Sequence, residues 1–145
     1  MKEIDYAQIV AASGDAIVVS DRQGLIKVWN PAAARLFGYT AAEAIGQPLD
    51  IITPERHRER HWQGYHTTVA TGITNYGTEL LRVPAISKTG DNISIAFTVA
   101  LLFDAAHTVT AVLAVMRDET RRFREERELR KRIADLEALT RPPAS

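Results

Sequence analysis

The chain has 145 residues, a mass of 16.1 kDa and 46% apolar residues. A chain of this length and composition can form one hydrophobic core but is too short for two. The 18 basic and 18 acidic residues cancel, so no global charge favours nucleic acid or an anionic membrane. The chain has no cysteine, which excludes disulfides and thiolate chemistry. It also lacks a signal peptide and a run of about 18 apolar residues that could span a membrane. We therefore expect a soluble, cytoplasmic protein with no nucleic-acid and no membrane partner.

The N-terminal stretch predicts a short helix followed by a β-hairpin. Ile4, Ile9 and Val10 share one helical face, and the residues Ser-Gly-Asp at 13–15 end the helix. Two β-rich runs then flank the turn sequence DRQG at 21–24.

Two further short helices follow the hairpin. Pro31 suits the first turn of a helix that ends at Gly38. Thr40 and Glu43 have the spacing of a capping box, which starts a second helix that ends at Gly46.

The stretch PERHRERHWQGYHTTVATG, residues 54–72, holds three of the four histidines and predicts one longer helix. Thr53 is its expected N-cap, Pro54 its first residue and Gly72 its stop. His57 and His61 lie on one face of this helix together with Gly64, Tyr65, Thr68 and Val69.

Three β-rich runs with short turns follow and should pair antiparallel. In the second run Ile93, Ile95, Phe97 and Val99 alternate with small or polar residues, which is typical of a strand with one face on a core. With the first hairpin they predict an α+β domain: a five-stranded antiparallel sheet with short helices over one face and a pocket between the two layers.

From Glu119 onward the composition becomes highly charged. Leu129, Ile133 and Leu136 step by four and then three residues, which predicts a coiled-coil seam between two copies of the chain. We divide the chain into an N-terminal cap helix (1–14), a central α+β domain (15–118), a C-terminal helix (119–141) and a tail (142–145).

One set of motifs matches a known family in order and spacing. It comprises Gly24, Asn30, Gly38-Tyr39 and Ile45-Gly46, the turn and strand SKTGDNISIAFTV, and MRDET at the end of the last strand. Over roughly residues 5 to 120 the chain resembles a PAS domain. The resemblance implies the five-stranded antiparallel PAS sheet with an N-terminal helix and a C-terminal coiled-coil helix. It also implies a sensory role without enzyme activity, a separate output domain, and a signal relay through Asp118 and Thr120.

Arg60-His61-Trp62, followed by Tyr65, resembles the long helix of haem-binding PAS gas sensors, both FixL-type oxygen sensors and carbon-monoxide-responsive regulators. The resemblance makes His61 the proximal ligand of a haem b iron that binds a diatomic gas. FixL-type sensors carry an arginine on the next strand; here Leu81 takes its place and Arg82 is one residue off. We therefore expect an apolar distal side.

Haem needs a neutral imidazole and an apolar cavity. Gly64 beside His61 leaves room for a planar group, and Met116 is a candidate second axial ligand. Propionates would need a cation from Arg56, Arg58, Arg60 or Arg82. The expected cofactor-lining residues are Leu36, Ile52, Gly64, Tyr65, Leu81, Ile95, Phe97, Val99 and Met116.

Three alternatives remain open. The first is a PAS dimerisation module whose pocket is filled by its own side chains, so that it binds no cofactor. The second is noncovalent flavin or another small molecule, because the absence of cysteine excludes a light-driven thiol adduct. The third is zinc at His57 and His61, for which no third ligand is evident.

Overall fold

The computed structural model describes residues 3–74 and 79–141, which form five strands and five α-helices. The strands are β1 (Ala16–Asp21), β2 (Ile26–Trp29), β3 (Leu81–Ile86), β4 (Asn92–Phe103) and β5 (Val109–Asp118). The helices are α1 (Tyr6–Ala12), α2 (Pro31–Phe37), α3 (Ala41–Ala44), α4 (Arg58–Thr71) and α5 (Thr120–Thr140), with 3₁₀ turns at Leu49–Ile52 and Glu55–His57.

The strands form a single antiparallel sheet in the order β2-β1-β5-β4-β3. The α+β fold, the first hairpin and the β3-β4-β5 meander predicted from the sequence are confirmed. The pairing of β1 with β5 was not predicted, since the two strands are far apart in sequence. It brings the first and last strands of the domain side by side.

The core lies between the inner face of the sheet and the helices. Residues directly opposite each other on antiparallel strands point to the same face, and Met116 lies between Ala16 of β1 and Phe97 of β4. Leu81 of β3 continues that row beyond Phe97. The apolar alternation predicted for β4 is confirmed, because Ile95 is buried and Phe97 is half-buried against the core.

Asn30 joins α1, β1 and α2 through both ends of its buried amide. Its Oδ1 accepts hydrogen bonds from the backbone N–H of Ile17 (2.8 Å) and of Ala33 (3.0 Å), the second of which caps α2. Its Nδ2 donates to the carbonyls of Val10 (2.9 Å) and Asp15 (3.0 Å).

The capping box predicted at the start of α3 is present, with reciprocal hydrogen bonds between Thr40 and Glu43. Glu43 also pairs with Lys88 in the β3-β4 turn, and the Lys88 backbone N–H donates to the Phe37 carbonyl at 2.8 Å. These contacts fasten the turn to the helical layer. α3 ends at Ala44, two residues before the expected stop at Gly46.

Replacing Glu43 with glutamine should make the free energy of unfolding less dependent on pH in the acidic range. The hydrogen bond and charge of Lys88, with the Thr40 backbone, lower the pKa of Glu43 from 4.5 to about 2. A lowered pKa stabilises the fold above pH 4.5, and this contribution is lost as the pH falls towards 2. Glutamine preserves the capping box. In urea titrations from pH 7 to pH 2, we therefore expect the difference between wild type and Glu43→Gln to shrink with acid; a constant difference would contradict the role of the charge.

The helix predicted over 54–72 is partly wrong at its start. Residues Glu55–His57 form a 3₁₀ turn, and α4 begins only at Arg58. Thr53 is not the N-cap, because its hydroxyl donates instead to the Leu49 carbonyl at 2.9 Å. The predicted stop is confirmed, since Gly72 takes the left-handed conformation with φ of 70°.

The C-terminal helix α5 runs away from the domain, and each of its residues after Thr120 is exposed. It lies within the segment 119–141, and the tail at 142–145 and residues 1–2 of the cap segment lie outside the described residues. Across the described ranges, no helix combines the length and apolar character needed to cross a membrane.

Candidate cofactor site

Two aromatic side chains fix α4 against the sheet. The hydroxyl of Tyr65 donates to the Asp21 carbonyl and lies 2.9 Å from the Ser20 hydroxyl, so it holds α4 to the end of β1. The indole Nε1 of Trp62 donates to Asp50 at 2.6 Å. Its ring covers Gly24 in the β1-β2 turn so closely that a Cβ there would lie 2.2 Å from the ring.

His61 lies beside both of these anchors, with its ring centroid 4.9 Å from that of Trp62 and 5.8 Å from that of Tyr65. Burial lowers the pKa of His61, although the nearby Asp50 opposes the shift. The imidazole is therefore neutral at pH 7. Its Nδ1 is buried and has no hydrogen-bond partner among the residues that the structure describes, and leaving such an atom unpaired carries a cost.

The predicted lining residues of the sheet share its inner face. The pairing register places Leu81, Phe97 and Met116 in one row and Ile95 and Val99 in the flanking positions. Met116 faces inward and is 6% exposed. Leu36 and Ile52 pack on the same core from the helical side.

Gly64 does not lie against any protein group in the described structure. It is exposed, and a Cβ at this position would meet open space. Close packing within the chain therefore does not account for a glycine in α4, and its contact with a cofactor stays a prediction.

The four arginines considered for propionates differ in their surroundings. Arg58 is engaged with the loop before α4, since its Nε donates to the Thr53 carbonyl at 3.1 Å. Arg60 and Arg82 are exposed. Arg56 borders an open cleft of about 480 Å³, which Pro54, Glu55, Ile86 and Asn92 also line.

The zinc alternative gains no support from the geometry. Arg56 donates to the Nε2 of His57 at 3.1 Å, so that nitrogen already accepts a hydrogen bond. Over residues 3–74 and 79–141, no three histidine, cysteine or acidic side chains gather in a group that could hold a metal ion.

The described residues fit haem in ligand chemistry and in the apolar character of the lining, but not in open space. His61 supplies a neutral imidazole with an unpaired buried nitrogen, the kind of donor that haem iron requires, and the inner face of the sheet is apolar. Ile52, Ile95 and Met116 are 6%, 3% and 6% exposed, so the space between them is closed. A planar ring would have to separate these side chains to enter.

The predicted relay residues lie where the sheet joins α5. Asp118 accepts a hydrogen bond from the Thr120 backbone N–H at 2.8 Å, and the Thr120 hydroxyl accepts from the Ser94 N–H at 3.0 Å. The Glu119 N–H also donates to the Ser94 carbonyl at 2.8 Å. The start of α5 is thereby attached to β4.

The family model for the PAS fold matches residues 4–118. Among curated proteins, the Sensor protein FixL of Bradyrhizobium diazoefficiens is 42% identical over 60 residues, which are 41% of this chain and 12% of that protein. The PAS domain of a protein from Colwellia psychrerythraea has a TM-score of 0.70 and 27% identity, covering 80% of this chain and 95% of the other. An RNA-binding light-oxygen-voltage receptor has a TM-score of 0.71 at 19% identity, covering 89% of this chain and 36% of that receptor. These likenesses confirm the fold.

Proposed function

Because the chain belongs to the PAS family, whose members serve as sensory modules of signalling proteins, we propose that it binds haem b through His61 and senses a diatomic gas. The observation that carries this proposal is the buried Nδ1 of His61, which has no protein partner in the described chain. The similarity to Sensor protein FixL supports a sensory role.

The chain's own side chains would determine how the site behaves. Haem iron would supply the coordination position for the gas. Burial keeps His61 uncharged and able to donate a lone pair, while Phe97, Val99 and Met116 exclude water from the sheet side. Leu81, at the position where FixL-type sensors carry an arginine, offers no hydrogen bond to a bound gas.

The pocket is connected to α5 through β4. Ile95 and Phe97 are inner-face residues of β4, and Ser94 of the same strand bonds Thr120 and Glu119. A shift of β4 on gas binding would change the contacts that start α5. This relay through Asp118 and Thr120 requires that gas-free and gas-bound chains differ in those contacts.

The visible absorption spectrum after reconstitution with hemin tests the proposal. We expect wild type to give a sharp Soret band, and His61→Ala to lose or broaden it, because the axial nitrogen is removed. The matched control is His66→Ala, an exposed histidine on the same helix, which should keep the band. An unchanged band in His61→Ala, or no specific band in wild type, would overturn the assignment.

The closed core favours a second candidate, a PAS dimerisation module without a cofactor. Ile95 and Met116 are almost fully buried by the chain's own side chains. On this account hemin gives no specific band while the chain still self-associates. Flavin is the other small-molecule candidate, and the same purified protein would then show flavin absorption.

Under both candidates the chain forms a homodimer. α1 has no buried residue, and its segment leaves Ile4, Tyr6 and Ile9 at 70%, 79% and 52% exposure. The seam of α5 is exposed as well. We propose that these surfaces meet in a second copy, that a separate output domain reads the signal, and that this chain is not itself an enzyme and acts in the cytoplasm.

A further inference from the structure

A second cleft lies between the β1-β2 turn and the C-terminal half of α4, and we call it the α4 cleft. Its volume is about 440 Å³, which falls within the range of about 300–1,000 Å³ that is typical of small-molecule sites. Its lining residues are Arg22, Gln23, His66, Val69 and Ala70. None of them is among the expected haem-lining residues, so the α4 cleft is a separate feature of the molecule.

The guanidinium group of Arg22 is held in position at one side of the α4 cleft. Its Nη1 donates a 2.6 Å hydrogen bond to the carbonyl of Val109, a residue that is 3% exposed. The Nε and Nη2 groups of Arg22 have no partner within residues 3–74 and 79–141. A guanidinium edge can bind both oxygens of a carboxylate at once. Arg22 is therefore anchored by one nitrogen and keeps donors for a ligand.

Gln23 and His66 add further donors on either side of the α4 cleft. The His66 ring stacks on Trp62 with a centroid distance of 5.7 Å, and Trp62 is itself bonded to Asp50. The backbone N–H of Gln23 donates to the Asp21 carboxylate at 2.9 Å, which fixes the turn and leaves the Gln23 side chain exposed. An imidazole and a primary amide each carry N–H donors. Donors from two distant segments thus border one opening.

The charge around the α4 cleft favours an anion. None of the described residues that line it is acidic. The carboxylate of the neighbouring Asp21 is engaged, because its Oδ1 accepts two backbone N–H groups of its own turn and its Oδ2 lies 3.6 Å from Lys27 Nζ. The cleft beside Arg56 differs, since Glu55 lines it and would repel an anion. An anion is therefore better accommodated in the α4 cleft.

The floor of the α4 cleft is apolar, which narrows the class of anion. Val69 is 7% exposed and Ala70 presents a methyl group beside it. Both lie in the last turn of α4, where the unpaired helix carbonyls disfavour negative charge. The charged end of a ligand would therefore lie towards Arg22, and an apolar group would cover Val69 and Ala70. A small organic carboxylate has both parts, whereas inorganic phosphate lacks the apolar one.

We propose that the α4 cleft binds a small organic carboxylate. Arg22 pairs with the carboxylate, Gln23 and His66 donate further hydrogen bonds, and Val69 packs against the apolar part. The bound ligand would join the β1-β2 turn to α4, the helix that carries His61. The site would thereby give the chain a second chemical input, and it does not depend on haem.

An NMR titration of the ¹⁵N-labelled full chain with benzoate tests the proposal. We expect saturable shifts of the Gln23, His66 and Ala70 amides with a dissociation constant of about 1 mM, because one charge-assisted contact and a small apolar surface give weak binding. Benzamide has the same ring without the charge and should bind at least about tenfold more weakly. Inorganic phosphate should also bind more weakly. Absence of saturable shifts at the α4 cleft, or equal binding of either control compound, would overturn the proposal.

Substitutions locate the binding. Arg22→Gln should weaken benzoate binding about tenfold or more. Arg35→Gln, which removes an exposed arginine on α2, is the matched control and should bind as wild type. Gln23→Glu keeps the Arg22–Val109 contact and should weaken binding severalfold by repulsion, which tests the site even if Arg22→Gln fails to fold.

The same spectra report whether each variant is folded. If folded Gln23→Glu and Arg35→Gln bind benzoate equally well, the ligand does not occupy the α4 cleft and the proposal is overturned. Neither outcome bears on haem, because the Soret band of wild type and His61→Ala decides that assignment separately.

Discussion

Asn30→Ala should destabilise the chain by about 3 kcal/mol, because it removes an N-cap and leaves buried or half-buried backbone groups without partners. The side chain is 3% exposed, so water cannot replace the amide. The orphaned groups would be the N–H groups of Ile17 and Ala33 and the Val10 carbonyl at the end of α1, while the Asp15 carbonyl would keep its hydrogen bond from the Ser13 hydroxyl. The loss is a large fraction of the total stability of a domain of this size.

Urea unfolding measured by circular dichroism gives the size of this effect. Asn92→Ala is the matched control, since Asn92 is an exposed asparagine at the start of β4 and should change stability little. Proteolysis of α1 should also become faster in Asn30→Ala, because the Val10 contact holds that helix to the domain. Equal unfolding midpoints for the two variants would show that the four hydrogen bonds of Asn30 contribute little.

Local patterns predicted the element types correctly. The turn DRQG, the capping box of Thr40 and Glu43 and the alternation from Ile93 to Val99 each involve residues near in sequence, so their physics is visible in the chain itself. The inner-face position of Met116 needed the sheet register, which depends on the pairing of β5 with β1 and β4. No local pattern encodes that pairing.

Two features of the candidate site were missed, one through a local ambiguity and one because it joins separate segments. The start of α4 was placed too early because the Thr53 hydroxyl can bond back to Leu49 as well as forward to a helix, and the 3₁₀ turn takes it. Trp62 was noted only as a neighbour of His61. Its partners Asp50 and Gly24 come from separate segments, and nothing in the spacing of these three residues predicts their contact.

Gly24→Ala should destabilise the chain by about 2–4 kcal/mol, through backbone strain and a clash with Trp62. Gly24 has a φ of 81°, which side-chain-bearing residues rarely adopt, and its Cβ would lie 2.2 Å from the indole ring. The ring cannot move away freely, because Trp62 donates a 2.6 Å hydrogen bond to Asp50. His61 directly precedes Trp62 on α4. We therefore expect α4 to be displaced together with the candidate haem ligand.

Gly90→Ala separates the two contributions, because Gly90 has a similar φ of 87° but open space where the Cβ would go. Its cost in urea unfolding should be the backbone term alone, about 1 kcal/mol. The excess cost of Gly24→Ala then measures the clash with Trp62. Trp62→Leu in the Gly24→Ala background should recover part of that excess, since the smaller side chain makes room for the methyl group. If the two glycine variants unfold at the same urea concentration, Trp62 yields without cost and does not hold His61 in place.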